Sequence, residues 1–277
     1  MTIVDGVNIE GGNMSSLPFA ENLGGSLLIW SGLSTAQKIL CAYALLMAMA
    51  LLPTLALSWV DMRTLREVGI WAKPMKFMAG TALFALTTVW LTTLVPGEVG
   101  HDQSFQWIAA LIIITSLFEV VYITYQASLG EGSHYNTTDP VRAILFGLMA
   151  AAAVGLVASQ AWLAWVIWKA LGTAVLTPTL LAVLLGLSLT FVLSTVSGFM
   201  LGAKQPPAGV GWPVVGWHTW QDLRPAHFLA VHAQQFIPVA GILAERVAGQ
   251  AAMPVVLTFT SAYIAAWFAL SWMGIAA

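Results

Sequence analysis

The sequence predicts an all-α protein: a polytopic membrane helix bundle of seven transmembrane helices, with its N-terminus outside and its C-terminus cytoplasmic. Three observations carry that expectation. Of the 277 residues, 59% are hydrophobic and 8% charged, against roughly 25% charged in a soluble domain. Seven stretches supply the about 20 mostly apolar residues that a helix needs to cross the hydrocarbon, namely 38–60, 75–95, 106–127, 142–168, 178–202, 226–244 and 252–275. Seven of the ten Lys and Arg residues (Arg63, Arg66, Lys73, Lys76, Arg142, Lys204 and Arg224) lie by the first, third and fifth connectors, and Lys38, Lys169 and Arg246 lie by the others. Basic connectors stay cytoplasmic, which sets the orientation.

Residues 1–36 lack a basic stretch followed by a short apolar core, so no cleaved secretory signal is expected. They are read as an extracytoplasmic segment, a candidate for an interfacial helix, ahead of one transmembrane domain over 37–277. The first span then acts as the insertion signal. It contains Cys41, the single cysteine, so no intrachain disulfide is available and packing is the simplest role for it. The connectors hold helix breakers: Pro96-Gly97, Gly130 to Asp139-Pro140, Gly172 to Pro178, Pro206-Pro207 and Gly249. The fourth stretch is long for one span and should tilt or project, with Trp162, Trp165 and Trp168 as an interfacial belt. In the sixth, Pro238 cannot donate to the carbonyl of Gln234, so the helix should be weakened next to its histidines.

Glu119 is the one charged residue well inside a span. A carboxylate in hydrocarbon needs a proton, a partner or water. Helical spacing puts Glu119, Tyr122 and Gln126 on one stripe, extended by Thr115 and Ser116, and that stripe should face the bundle interior. Glu119 lies about 10 Å from the cytoplasmic end of the third helix and His232 about 9 Å into the sixth. The two are therefore expected at one level, with Tyr122 as a relay, and the three are the candidate catalytic residues. His134 and His227 lie nearer the headgroups, and with Glu119 and His232 they form a candidate ligand set for zinc or iron. His232 is also a candidate axial ligand for haem. His227 and His232 are about 140° apart around the axis, so both can address one ion only on a distorted helix.

Lys73 and Lys76 flank Pro74 at a cationic helix entrance, where free backbone amides also favour anions. With Gln126, Arg224 and Gln235 they are the candidate substrate-binding residues. The same cations also serve the positive-inside signal by reaching lipid phosphates. The connector "GWPVVGWHTWQDLRP" (211–225) places Trp212, Trp217 and Trp220 beside His218, as an interfacial anchor or a lid. No Walker loop, nucleophile elbow or H-E-x-x-H helix is present. A net charge of −2 without long charged blocks gives no reason to expect nucleic acid as a partner.

Three segments also carry a resemblance. Lys73, Pro74, Lys76 and Phe77 form a K-P-x-K-F entrance. Gln126, Ala127, Gly130, Ser133, His134, Tyr135 and Asn136 form a Q-A-x-x-G-x-x-S-H-[F/Y]-N ending. Asp222, Leu223, Arg224, His227, Phe228, His232 and Gln235 form a D-L-R-x-x-H-F-x-x-x-H-x-x-Q start. In these motifs the chain resembles a group of bacterial seven-helix integral membrane proteins of unassigned activity. The resemblance spans the second to sixth helices, implies that the three segments work as one unit, and adds no chemistry.

The sequence thus supports an integral protein of the bacterial inner membrane with a Glu/His polar site in its cytoplasmic half. The first reading is a metal- or haem-dependent membrane enzyme acting on a lipid-like or anionic substrate. The second is a proton-coupled transporter using Glu119 and His232. The third is a non-catalytic subunit or assembly factor that meets a protein partner or a second copy of itself. Membrane lipids are partners in every case.

Overall fold

The computed structural model describes residues 30–213 and 215–276. The interfacial helix expected within 1–36 falls mostly on residues 1–29, outside the described residues. The helices are α1 (Thr35–Val60), α2 (Ala72–Thr93), α3 (Gln103–Leu129), α4 (Pro140–Leu171), α5 (Pro178–Ala203), α6 (Arg224–Val231), α7 (Ala233–Val247) and α8 (Ala252–Ile275). A hairpin of β1 (Thr64–Leu65) and β2 (Val68–Gly69) follows α1, with Thr64 opposite Gly69 and Leu65 opposite Val68. Six helices are long and apolar enough to cross a membrane, and a seventh crossing arises if α6 and α7 are one span bent by 54°.

The helix starts follow from local chemistry. Ser34 and Gln37 cap the first turn of α1 reciprocally, and the carboxylates of Asp102 and Asp139 and the hydroxyl of Thr177 accept from the first free amides of α3, α4 and α5. Pro140 and Pro178 open α4 and α5, where the absent N–H costs nothing. The radial distribution is that of a protein solvated by lipid. Leu46, Leu52, Ile114, Val121 and Phe199 are exposed, whereas Thr88, Glu119, Gln126, Gln160, Thr190, Ser197 and Gln234 are buried. Polar side chains inside the bundle gain partners that lipid cannot offer.

Packing joins α1 to α2, α3 to α4 and α4 to α5. Helix α5 then receives both halves of the bent span, and α8 covers them from another side. Small residues allow the close approach: a Cβ on Gly241 would lie 2.3 Å from Ala182 Cβ, and one on Gly186 would lie 2.9 Å from Pro238 Cδ.

The bend falls next to the histidines, as expected, but its cause is not the expected one. Pro238 lies inside α7, packed on Gly186, and the helix breaks instead at His232 (φ −98°, ψ 6°). The cause is two side chains from neighbouring helices that replace ladder hydrogen bonds. Tyr263 Oη donates to the carbonyl of Leu229 (2.5 Å), the acceptor that Ala233 N–H would use in a continuous helix. The amide of Gln234 donates to Thr190 Oγ1 (2.9 Å) instead of to the carbonyl four residues back.

One end of the bundle gathers the first, third and fifth connectors and the seven basic residues named above. Arg66 donates to the carbonyl of Pro206 (2.5 Å), Lys76 to that of Val215 (2.7 Å) and Lys204 to that of Gly274 (3.0 Å). The long connector is thereby tied down over this basic end. Its turn requires Gly211, where a Cβ would sit 2.1 Å from the carbonyl oxygen of Trp217.

Tyr263→Phe and Thr190→Val each remove one of the side-chain partners that hold the break. Each should destabilise the purified protein by about 1–3 kcal/mol, the cost of a buried backbone group left unpaired. Thermal unfolding in detergent checks this.

Candidate functional site

The first turn of α2 carries Lys73 to the basic end, and the turn after α3, which closes on Gly130 (φ +74°), brings Ser133 and His134 to meet it. Lys73 Nζ lies 3.0 Å from Ser133 Oγ and 2.9 Å from His134 Nδ1, and Ser133 Oγ lies 3.2 Å from the same nitrogen. The imidazole packs among Phe77, Tyr135 and Phe146. Burial, and then the adjacent Lys73 ammonium, push the His134 pKa down to about 3. The ring is therefore neutral at pH 7. Its Nδ1 accepts from Lys73, which leaves Nε2 bearing the proton and able to donate.

His227 carries the opposite polarity. Ser197 Oγ spends its proton on the carbonyl of Leu193 (2.7 Å), so it accepts from His227 Nδ1 at 2.9 Å. The neutral ring then keeps an Nε2 lone pair. His227 is close enough to act electrostatically on His134. Tyr135 takes left-handed backbone (φ 58°), which is strained for an aromatic residue, and its phenol donates to the carbonyl of Leu201 at the end of α5.

Asp222 and Arg224 form a forked ion pair, with Arg224 Nε 2.8 Å from Oδ1 and Nη2 2.6 Å from Oδ2. Asp222 also accepts from the amides of His218 (2.8 Å) and Arg224 (3.0 Å). Burial works against its charged form, yet hydrogen bonds from Arg224 and His218 hold its carboxyl below the usual range. Much of the Arg224 charge is spent inside the protein. Lys76, which feels both Arg224 and Asp222, is exposed and tethers the connector.

Within the span, Ser116, Glu119, Tyr122 and Gln126 are all buried on one face of α3. Tyr43 Oη lies 2.8 Å from Ser116 Oγ, and Gln126 Nε2 donates to Tyr122 Oη (2.9 Å). Among the described residues Glu119 has neither a hydrogen bond nor an ion pair, and the fields that reach it are those of Lys73 and Tyr43.

The expected meeting of Glu119 with His232 does not occur. His232 caps the break and stacks against Phe228, with ring centroids 4.2 Å apart, and meets Phe236 edge-on. Matching depth did not supply matching azimuth: α3 turns its polar stripe toward α1 and α2. Tyr122 is held by Gln126 and does not bridge the two. The four proposed metal ligands are likewise held apart, His134 by Lys73, His227 by Ser197 and His232 by its aromatic neighbours. No group of three His, Cys, Asp or Glu among the described residues is arranged to hold a metal ion, so the four do not form one zinc or iron centre there.

The predicted substrate-binding residues divide. Lys73 meets His134, which was expected as a metal ligand, while Lys76 and Arg224 are close enough to act on each other. Gln235 instead donates from Nε2 to Thr87 Oγ1 (3.1 Å) in the core, and Gln126 pairs within its own helix. Reading the sequence for charge passed over a neutral layer: Thr87, Thr88, Ser159, Gln160, Thr190 and Ser194 are buried in the same bundle. The signal that would have found it is an amide or hydroxyl run inside an apolar span, as in "LTTVW" and "VASQAW". No protein-family model, curated protein or solved structure matches the chain.

The neutral state of His134 has a pH consequence. The ring titrates near 6.5 when unfolded and about 3 when folded, so the unfolded chain takes up the proton first. The stability this ring contributes is complete above pH ~6.5 and is lost as pH falls from there toward the folded pKa. The unfolding temperature should hold level from pH 8 to about 6.5 and then decline, and His134→Phe should flatten that acid limb.

Proposed function

We propose that the protein is an integral membrane carrier that receives an anionic, lipid-like molecule at its basic end. The observation that supports this best is the Lys73–Ser133–His134 joint. It presents an ammonium and an imidazole Nε2–H from two separate segments, and Arg66 and Arg224 act on the adjacent Tyr135. Converging cationic and N–H donors suit phosphate or carboxylate oxygens. Lipid provides the apolar remainder of such a substrate with a route along the exposed helix faces.

Enzyme action on the same substrate remains the other reading, and the broken span favours transport. Discontinuous transmembrane helices supply substrate and ion sites in many carriers, because a helix interrupted within the membrane offers free backbone groups and a place to bend. The α6–α7 break supplies the bend, and the carbonyl of Gln234, opposite Pro238, is the backbone group it leaves without a helical donor. Glu119, buried without a hydrogen-bonded partner among the described residues and coupled to Lys73, is the group suited to proton handling in such a cycle. Placing the basic end in the bacterial cytoplasm follows from the positive-inside rule and belongs to this proposal.

Binding of anionic phospholipid to the purified chain, followed by native mass spectrometry or by quenching of the tryptophans, tests the reading. Lys73→Met should weaken binding about tenfold, consistent with the loss of one charge-assisted hydrogen bond. Lys169→Met at the opposite end should leave it unchanged. Equal binding by the two variants would remove the basic end as the site.

A further inference from the structure

Gln160 on α4 is fully buried, and its Nε2 lies 2.9 Å from Ser159 Oγ and 3.5 Å from Thr88 Oγ1. Both hydroxyls already give their protons to backbone carbonyls, Ser159 to Leu156 and Thr88 to Phe84 (2.9 Å). They can only accept from the amide, so the orientation of Gln160 is fixed. Its Oε1 has no hydrogen-bond partner among the described residues. Gln235 repeats the pattern from α7: Nε2 donates to Thr87 Oγ1, and the buried Oε1 has no partner of good geometry among the described residues, with the His232 ring nearby. Thr87 and Thr88 are successive on α2, so the two amide heads come to the same turn.

Gln234 is fully buried beside Gln235 at the break, and neither its Nε2 nor its Oε1 has a partner among the described residues. Its main-chain carbonyl also loses its helical donor, because Pro238 has no N–H. Ser194, one turn beyond Thr190 on α5, has a buried hydroxyl without a partner among the described residues. These uncharged groups come from α4, α5 and α7, and Thr87 and Thr88 bring those of Gln160 and Gln235 to one turn of α2. Leaving such acceptors bare is costly, and natural proteins seldom do so without a use.

We infer that this layer is a binding site for a small monovalent cation, held by the amide oxygens of Gln160, Gln234 and Gln235 with hydroxyl support. Neutral oxygens replace the hydration shell of a monovalent ion, as carbonyl rings do in channels. Divalent ions call for carboxylates, and the one carboxylate well inside a span, Glu119, faces α1 and α2. The C-terminal end of α6 meets the break and adds its partial negative charge. The amide of Gln234 at the start of α7 is already engaged by Thr190, which limits the opposing dipole. This site is separate from the basic end and does not rest on the anionic-substrate reading.

Alkali and ammonium ions share this chemistry, and one experiment separates them. The full chain in nanodiscs is unfolded thermally in sodium, potassium, ammonium or choline chloride at equal ionic strength. At about a hundredfold excess over Kd, the preferred ion should raise the unfolding temperature by about 5 °C over choline. Gln234→Leu should lose that shift while matching or exceeding the parent's unfolding temperature in choline, because an unpaired buried amide is replaced by an apolar group of similar size. Gln160→Met provides the same test should Gln234→Leu fail to fold. Lys73→Met should keep the shift. Equal unfolding temperatures in all four salts, an intact shift in the glutamine variants, or its loss in Lys73→Met would each overturn the inference.

Discussion

Lys73 carries an ammonium into the first turn of a membrane helix, where water is scarce and each of its hydrogens needs an acceptor. Ser133 and His134 supply two, and the arrangement of the basic end follows from that requirement. Meeting it pins the turn after α3 against α2. That turn carries Tyr135, whose phenol ties the end of α5 despite a strained backbone. The third motif joins through Lys76, which holds the connector over the same end, and through His227, whose ring lies within the field of His134. Burial and, after it, the adjacent positive charge keep His134 neutral, so the joint is made of one cation and one dipole rather than two cations repelling each other.

A second constraint acts deeper in the bundle. Lipid cannot satisfy backbone or side-chain polar groups, so each must be paired inside or be retained for a use. Tyr263 and Thr190 obey the first rule: each takes a backbone group that the bent span has released, which makes the break a built feature. Gln160, Gln234 and Gln235 obey the second. Their hydrogens are placed, where placed at all, on hydroxyls of α2 and α4, and their oxygens are left facing inward. The protein thus has a charged end and a neutral core layer, connected by α2, which contributes Lys73 to one and Thr87 and Thr88 to the other.

Much of the architecture is legible in the sequence because the solvent is apolar. The stretch read as 106–127 is helical over Gln103–Leu129, and that read as 252–275 over Ala252–Ile275. Apolar runs and capping residues are local signals. The bend at His232 is not, because its causes lie on α5 and α8, 42 and 31 positions away in sequence. Pro238 was the visible suspect, and packing on Gly186 accommodates it. The site was half legible. Lys73 and His134 stood out by charge and spacing and do meet, while Glu119 and His232 were matched by depth alone, which says nothing of the direction each helix faces. Gln160 escaped notice because neutrality hides a residue from a search for charge.

The central claim is that Lys73 and His134 form one joint, and a double-mutant cycle on folding stability addresses it directly. Lys73→Met, His134→Phe and the double variant would be compared by thermal or chemical unfolding in one detergent at pH 7.5. The account predicts a coupling energy of at least about 1 kcal/mol, with the double variant more stable than the sum of the single losses implies. Additivity within about 0.5 kcal/mol would contradict it.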